Sequence, residues 1–477
     1  MAIQQSPLTG PGFGRVLFSI LSVSALISTS ICDAPYPREQ KPLLSFDSYS
    51  LNEQGHVKLG EAFSLQDIFH HGTYQYPNLH KHISIPKSEE SSWVENSELP
   101  GLNGPLIARS RPMKIERLKD RRPSIIEPMI SAAQEDGKFW SNSDPAAWTV
   151  DHLIGPDVTD KETILTLARM SANSYQPKPG QGDWTDVGSG FNESADFGWE
   201  NDGIRGYVYA NEDGSIVTIS FKGGTPQLGW MGGPTSSNDR DNVNLLFSCC
   251  CGQGSFLAQK VCSCATFGFF SGRVCNSSCV GQCLKAEERY YPAAQHIYSN
   301  VSAFYPNAEI WVTGHSLGGT LSSLLGLTYG LPAVTIETPP EALPAGRLGL
   351  PAPPGSGTMQ TRNNTGAYHF GITSDPIYMG RCKGLAASCA LAGYAFDSVC
   401  HTGMKCVYDV VKDFGWWSSI STHGIVTVIQ DVIMKYESVP VCEPAPECQD
   451  CSSWKEFHGS LTSSKTSKPT TTCHSPR

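Results

Sequence analysis

No stretch of this chain reaches the ~20 consecutive apolar residues that a spanning helix needs. Outside one short N-terminal run the protein is therefore expected to be soluble. Charge is scarce as well: only 17% of the 477 residues are charged, and the formal net charge is -10. Nucleic-acid binding needs clustered Lys and Arg to meet phosphate, so that partner class is excluded. The one dense basic run, "KIERLKDRRP" around Arg117 to Arg122, is interleaved with acids and reads as solvated surface. The regular paired spacing of a structural zinc site is missing from the cysteines. No metal and no cofactor are expected.

What the chain does have is apolar material, at 39%, and 17 cysteines. The first marks a globular protein with one large domain or two to three modest ones. Eight of the cysteines crowd between Cys249 and Cys283. Asn-x-Ser/Thr sequons at Asn192, Asn276, Asn300 and Asn363 accompany them. Together they point to a disulfide-forming, lumenal compartment. The count is odd, and Cys32 is the expected leftover. Arg15 precedes "VLFSILSVSALISTSI", an uncharged stretch of 16 residues. On the residues alone two readings stand. One is a cleaved signal peptide, with Ser28 and Ser30 near the cut. The other is an uncleaved anchor with its short N-terminus in the cytosol.

Residues 32–150 show weak periodicity. His70, His71, His80 and His82 cluster there without carboxylates at ligand spacing, so structural or surface histidines are expected. Regular structure is expected from residue 151. Asp160 caps a helix over "KETILTLARMSANSY". "GIRGYVYA" and "SIVTISF" form a hairpin around "NEDG". A helix-like run containing Pro292 leads to the strand "AEIWVT", the turn "GHSLGG" and the helix "TLSSLLGLTYG". Strand, turn and helix in this order predict an α/β fold, a mostly parallel sheet flanked by helices. The Ser/Thr-rich C-terminal end is expected to be disordered.

The chemistry sits in "GHSLGG". Gly314, Ser316 and Gly318 give Gly-x-Ser-x-Gly, with His315 and Leu317 between them. A serine on a sharp strand-to-helix turn is lifted above the sheet, and side chains two residues to either side would collide. Ser316 is the expected nucleophile. A hydroxyl needs a base, and the base an orienting carboxylate, in the chain order Ser, acid, His. Asp375 ends the strand "YHFGITSDP" and is preferred to Asp397, Asp409 and Asp413. His423 lies on a late loop. His401 competes, but Cys400 and Cys406 flank it and suggest a disulfide-tied structural loop; His369 precedes the acid.

These residues resemble the class 3 lipase family of α/β-hydrolases. "VTISFKGGT" is similar to the family's oxyanion strand, with Lys222 for the usual Arg and one extra glycine among Gly223 and Gly224. The resemblance implies an oxyanion hole made by Thr225 and the backbone N–H of Leu317. Outside the core, "IFHHGTYQYPNLHKH", "DVGSGFNESADFGWENDGIRGYVYA", "HFGITSDPIYMG" and the cysteine-rich insertion resemble fungal autophagy-related vacuolar lipases. That likeness implies a membrane-anchored type II glycoprotein that travels through multivesicular bodies and lyses autophagic bodies in the vacuole. It favours the anchor among the two N-terminal readings.

The expected layout is then a cytosolic segment 1–14, a signal-anchor 15–31, a lumenal region 32–150, a hydrolase domain 151–440 with the insertion 249–283, and a tail 441–477. The expected function is a serine lipase or phospholipase. Its partners are membrane phospholipids, neutral glycerolipids and its own anchor, with no protein partner assigned. A secreted esterase on non-lipid esters is one alternative. A catalytically dead, cysteine-rich binding protein is another. The insertion is either a disulfide-braced lid, presenting Leu245, Leu246, Phe247, Phe256, Phe267, Phe269 and Phe270, or a stapled surface subdomain.

Overall fold

The computed structural model describes residues 60–73, 78–85, 105–135, 144–175, 203–224, 236–254, 257–268, 272–356, 359, 362, 364–383, 387–458 and 473. In chain order the first elements are β1 (Glu61–His71), β2 (His80–Ser84), β3 (Leu106–Ala108), β4 (Ser110–Leu118), α1 (Pro123–Glu135) and β5 (Trp148–Pro156). Then come α2 (Lys161–Asn173), β6 (Ile204–Asn211), β7 (Ile216–Phe221), α3 (Ser236–Phe247), β8 (Ala265–Gly268), β9 (Gly272–Asn276) and α4 (Ser277–Leu284). The rest are α5 (Tyr290–Phe304), β10 (Glu309–His315), α6 (Leu317–Tyr329), β11 (Ala333–Ile336), α7 (Ala342–Leu348), β12 (Ala367–Ile372), β13 (Met404–Tyr408), β14 (Cys442–Pro444) and β15 (Lys455–Phe457).

Ten strands form the main sheet, in the order β14-β13-β12-β11-β10-β7-β6-β1-β2, with β3 beside β1. From β7 through β10, β11 and β12 to β13 the pairs are parallel. The flanks are antiparallel: β6 on β7, β1 on β6, β2 and β3 on β1, and β14 on β13. The sheet is mixed, which corrects the expectation of a mostly parallel one. The reason is local. Strands separated by a crossing helix come out parallel, whereas the tight turn at Asn211–Gly214 returns β7 antiparallel to β6. Asn211 fastens that turn, its Oδ1 accepting from Ile216 N at 2.9 Å. Strands from residues 61–108 thus share one sheet with those after residue 151.

Among the described residues no helix is long and apolar enough to cross a membrane. The segment 15–31 lies outside the described residues. The expectation of an N-terminal membrane segment, and with it a single-pass type II protein partnered by its own anchor, is corrected on that finding.

β6 is buried along its whole length because helices cover both faces of the sheet. Ile204, Val208 and Ala210 face the core shared with α5 and α6. Tyr207 and Tyr209 face the other, shared with α2 and residues 425–433. Helix α2 starts where Asp160 accepts from Thr163 N at 2.9 Å. Pro292 falls in the first turn of α5, where its missing N–H breaks no helical bond.

Eight disulfides account for every cysteine but Cys32. Cys250–Cys275, Cys251–Cys262 and Cys264–Cys279 staple the insertion to itself. Cys249–Cys451 and Cys283–Cys473 tie it to the C-terminal segment. That segment is not a loose tail over residues 442–458: it carries β14, and β15 pairs with β9. Leu245, Leu246 and Phe247 are buried in the core, so they are not offered to a bilayer. Phe267 is exposed. Phe256, Phe269 and Phe270 lie outside the described residues.

Candidate active site

Strand β10 ends at His315, and Ser316 makes the turn into α6 with φ 56° and ψ -126°. An L-residue rarely takes such angles, so the turn stores strain and holds the Oγ at a fixed point above the sheet. Packing enforces it. A Cβ on Gly314 would stand 2.5 Å from the backbone of Gly318, and one on Gly318 would stand 2.1 Å from Phe221 O. Both glycines are required because helix α6 starts against the ends of β10 and β7. Ser316 N donates to Ile336 O at 3.0 Å, pinning the turn to β11.

Ser316 Oγ lies 2.8 Å from His423 Nε2. His423 Nδ1 lies 2.7 Å from Asp375 Oδ2. An ionised carboxylate only accepts, so Nδ1 carries the hydrogen and Nε2 is left to accept from the serine hydroxyl. Asp375 is fully buried and follows β12 on a turn set by Pro376, where its Oδ1 accepts from Ile377 N at 2.8 Å. Burial disfavours its charge, but His423, Glu337 and the Ile377 N–H outweigh that and hold its pKa below the usual value. His423 ends a short 3₁₀ turn, Ile420–His423, capped by Ser419. The two loops are stitched together: Ser419 N donates to Ser374 O at 3.0 Å, and Ser374 Oγ to Thr422 Oγ1 at 3.2 Å.

His315 supports this chain from beneath. Its Nε2 donates to His423 O at 2.7 Å. Its Nδ1 must then accept, and Tyr175 OH donates to it at 2.6 Å. Burial, reinforced by His423, lowers the His315 pKa to about 3, so this imidazole is neutral. Gly223 fits beneath Tyr175, where a Cβ would stand 2.0 Å from the hydroxyl and 2.4 Å from His315 O. Lys222 is buried, its Nζ 3.4 Å from Asp239 Oδ2 and donating to Gly223 O at 2.9 Å. Leu317 N opens α6 beside Ser316, where helix N–H groups face outward. Thr225 lies outside the described residues.

The competing residues are engaged elsewhere. His401 is buried, with Nε2 donating to Tyr378 O at 2.9 Å and Nδ1 3.3 Å from Glu341 Oε2. His369 lies 3.1 Å from Glu341 Oε1. Burial opposes the Glu341 charge, yet His369 and His401 hold its pKa well below the usual value. Asp397 accepts from Cys249 N at 2.9 Å, Asp409 caps residues 410–414, and Asp413 accepts from Tyr436 OH at 2.9 Å. Of the sequons, Asn276 is buried and caps α4, Asn300 is half-buried on α5, and Asn192 and Asn363 lie outside the described residues.

Sequence reasoning missed Glu337. It follows β11 directly, at φ 48° and fully buried, with its carboxyl beside Asp375. Burial and the Asp375 charge raise its pKa well above the usual value, so it stays protonated. No motif marks it. The signal was positional: in α/β sheets sites form beyond the C-terminal ends of parallel strands.

As a unit, the arrangement can move a proton from a serine hydroxyl to an oriented imidazole, which turns a weak nucleophile into a competent one.

The family model for "Lipase (class 3)" matches residues 277–331, a span that includes the serine turn. A protein of Penicillium rubens named as a candidate lipase, atg15, is 44% identical over 445 residues. The match covers 92% of this chain and 65% of that relative, so the chain spans less than two thirds of its length. Among solved structures, the Lip2 lipase of Yarrowia lipolytica is 17% identical, over 53% of this chain and 80% of that one, with a TM-score of 0.28. A triacylglycerol lipase of Penicillium expansum is 15% identical, over 53% and 82%, with a TM-score of 0.25. Nothing further rests on likenesses this loose.

Proposed function

We propose that the chain, which matches the class 3 lipase model over residues 277–331, is a serine hydrolase of that kind that cleaves acyl esters of membrane glycerolipids. Ser316 Oγ attacks the ester carbonyl carbon while His423 Nε2 takes the hydroxyl proton. The imidazolium returns that proton to the departing alcohol, leaving an acyl-enzyme on Ser316. Water attacks next, with the same proton route, and frees the fatty acid. Asp375 fixes the imidazole tautomer and stabilises its charged form. The Leu317 N–H, together with Thr225, receives the oxyanion.

The observation that carries this reading is the continuous hydrogen-bonded chain of Ser316, His423 and Asp375 at 2.8 and 2.7 Å on a strained turn. A chain preserved this completely disfavours an inactive binding protein. The kinship with the atg15-named relative supports an autophagy-related setting. The site of action is the vacuole lumen, where the enzyme lyses autophagic bodies and multivesicular-body vesicles. Breaking a bilayer requires hydrolysis of bulk phospholipid, so phospholipids are preferred to triglycerides.

The test compares wild type and Ser316→Ala on phospholipid vesicles and triglyceride emulsions. Hydrolysis should fall by about 10⁴-fold or more in the variant, with the fold intact. In cells that carry only Ser316→Ala, intact autophagic bodies should accumulate in the vacuole. Undiminished hydrolysis by a folded variant overturns the mechanism; lost hydrolysis with normal clearance overturns the biological setting alone.

A further inference from the structure

Three imidazoles meet outside the candidate active site. His71 closes β1 and His80 opens β2, and the two are cross-strand partners with ring centroids 4.0 Å apart. Helix α5 packs on this hairpin and brings His296 to 5.0 Å from His71 and 4.5 Å from His80. One ring nitrogen from each residue can be chosen so that all three lie within 4.8 Å of one another. His71 is buried, while His80 and His296 reach the surface.

The adjacent layer offers a comparison within the molecule. Two residues along the same strand face, Phe69 stacks on His82 at 4.4 Å, and Phe304 of α5 lies 5.1 Å from His82. That aromatic packing is sufficient to seat a helix on a hairpin. Three imidazoles in the next layer pack no better, and they repel one another once two of them are protonated. Their chemistry therefore needs a different explanation.

The tautomer supplies one. His71 Nδ1 lies 2.5 Å from Gly72 O. A carbonyl only accepts, so Nδ1 carries the hydrogen and the lone pair sits on Nε2. Ligating histidines are oriented in just this way, by a backbone carbonyl behind the ring.

We infer that His71, His80 and His296 bind one divalent transition-metal ion of the Zn²⁺ class, clipping α5 to the β1–β2 hairpin. Three imidazoles without a carboxylate suit Zn²⁺, Co²⁺, Ni²⁺ or Cu²⁺ and not the oxygen-seeking Ca²⁺ or Mg²⁺. Tetrahedral Zn–N bonds of about 2.0–2.1 Å place ligand nitrogens roughly 3.4 Å apart. The two surface histidines close that gap by small side-chain rotations. Water completes the coordination. The segment sequence alone could not reveal this, because the third ligand comes from a distant helix.

The test uses the full chain, purified without a histidine tag, with disulfides intact and stripped by a chelator. Zn²⁺ is titrated by calorimetry and Co²⁺ by visible absorption. Wild type should bind one equivalent and give the strong Co²⁺ band of a four-coordinate site. Its thermal midpoint should rise with Zn²⁺ and return with chelator. His80→Ala and His296→Ala should each weaken binding by about tenfold or more. His82→Ala is the control, since His82 belongs to the aromatic layer and bonds Asp67 at 2.9 Å; it should bind as wild type does. Circular dichroism verifies each fold. Lack of stoichiometric binding by wild type overturns the site. So does undiminished binding by a folded His80→Ala/His296→Ala double variant.

Discussion

His315 Nε2 donates to the backbone carbonyl of His423 at 2.7 Å, so the residue just before Ser316 fixes the main chain of the residue that accepts the Ser316 hydrogen bond. The serine turn and the His423 loop are thereby one rigid unit. Replacing His315 with Ala frees the His423 loop and removes the imidazole packed 4.8 Å from the His423 ring. The expected result is a fall in kcat of about 10- to 100-fold with little change in KM. Because burial lowers the His315 pKa to about 3, its ring stays neutral above that value, with Nδ1 accepting from Tyr175 and Nε2 donating to His423 O. The pH–rate profile should therefore drop without shifting. A displaced profile would show that His315 itself titrates in the working range.

Glu337 makes stability depend on pH with a defined sign. Its folded pKa is raised well above the ordinary 4.5. The stability it contributes is fully present below the unfolded value and is lost as pH rises toward the folded one. Glu337→Gln stays neutral at every pH and removes that slope. Relative to wild type, the variant should gain stability from pH 4.5 upward, at most about 1.4 kcal/mol per pH unit. Denaturation at a series of pH values checks this. A gain toward acid instead would mean that Glu337 is ionised in the fold.

Two exchanges separate catalysis from architecture. Asp375→Asn keeps the volume but favours the wrong imidazole tautomer, and should lower kcat by about 10⁴-fold with little change in melting. His401→Ala should do the reverse. It removes one partner of the buried Glu341 carboxylate, costing about 3 kcal/mol of stability, while the folded fraction retains its rate. Rates normalised to folded protein, read beside thermal melts, distinguish the two. Loss of rate in folded His401→Ala would transfer the base to His401.

Trp417 is 86% exposed, with Phe414 and Val411 also exposed on the segment leading to His423. An indole at a membrane surface sits at headgroup level. Trp417→Ser should reduce hydrolysis of vesicles several-fold more than that of a short soluble ester. Equal loss on both substrates would make Trp417 a structural residue.

Much of the candidate site's geometry was legible because its residues obey local rules. The glycines flanking Ser316 are demanded by backbone contacts at 2.5 and 2.1 Å, and steric demands of that kind leave a fixed spacing. Asp375 stood out because Pro376 ends the strand, and His423 because it follows in the required order. Glu337 carried no such mark: its importance comes from Asp375, which reaches it only through the sheet. The mixed sheet was missed for a related reason. β1 alternates in its first half, then becomes buried on both faces from Asp67 to His71, two of those residues being histidines. Polar residues buried by tertiary contact do not look like a strand. The C-terminal segment was read from its composition, whereas disulfides to distant cysteines order residues 442–458.

Those long-range bridges also govern timing during synthesis. Cys249 waits for Cys451, 202 residues later, and Cys283 for Cys473, 190 residues later. At about 5–20 residues per second, translation of such an interval takes roughly 10 to 40 s. Throughout it, two thiols of the insertion stand reduced among six neighbours that can already pair. The nascent chain is thus exposed to wrong pairing until Cys473 enters the oxidising compartment. Disulfide isomerase capacity, more than translation speed, should therefore set the yield.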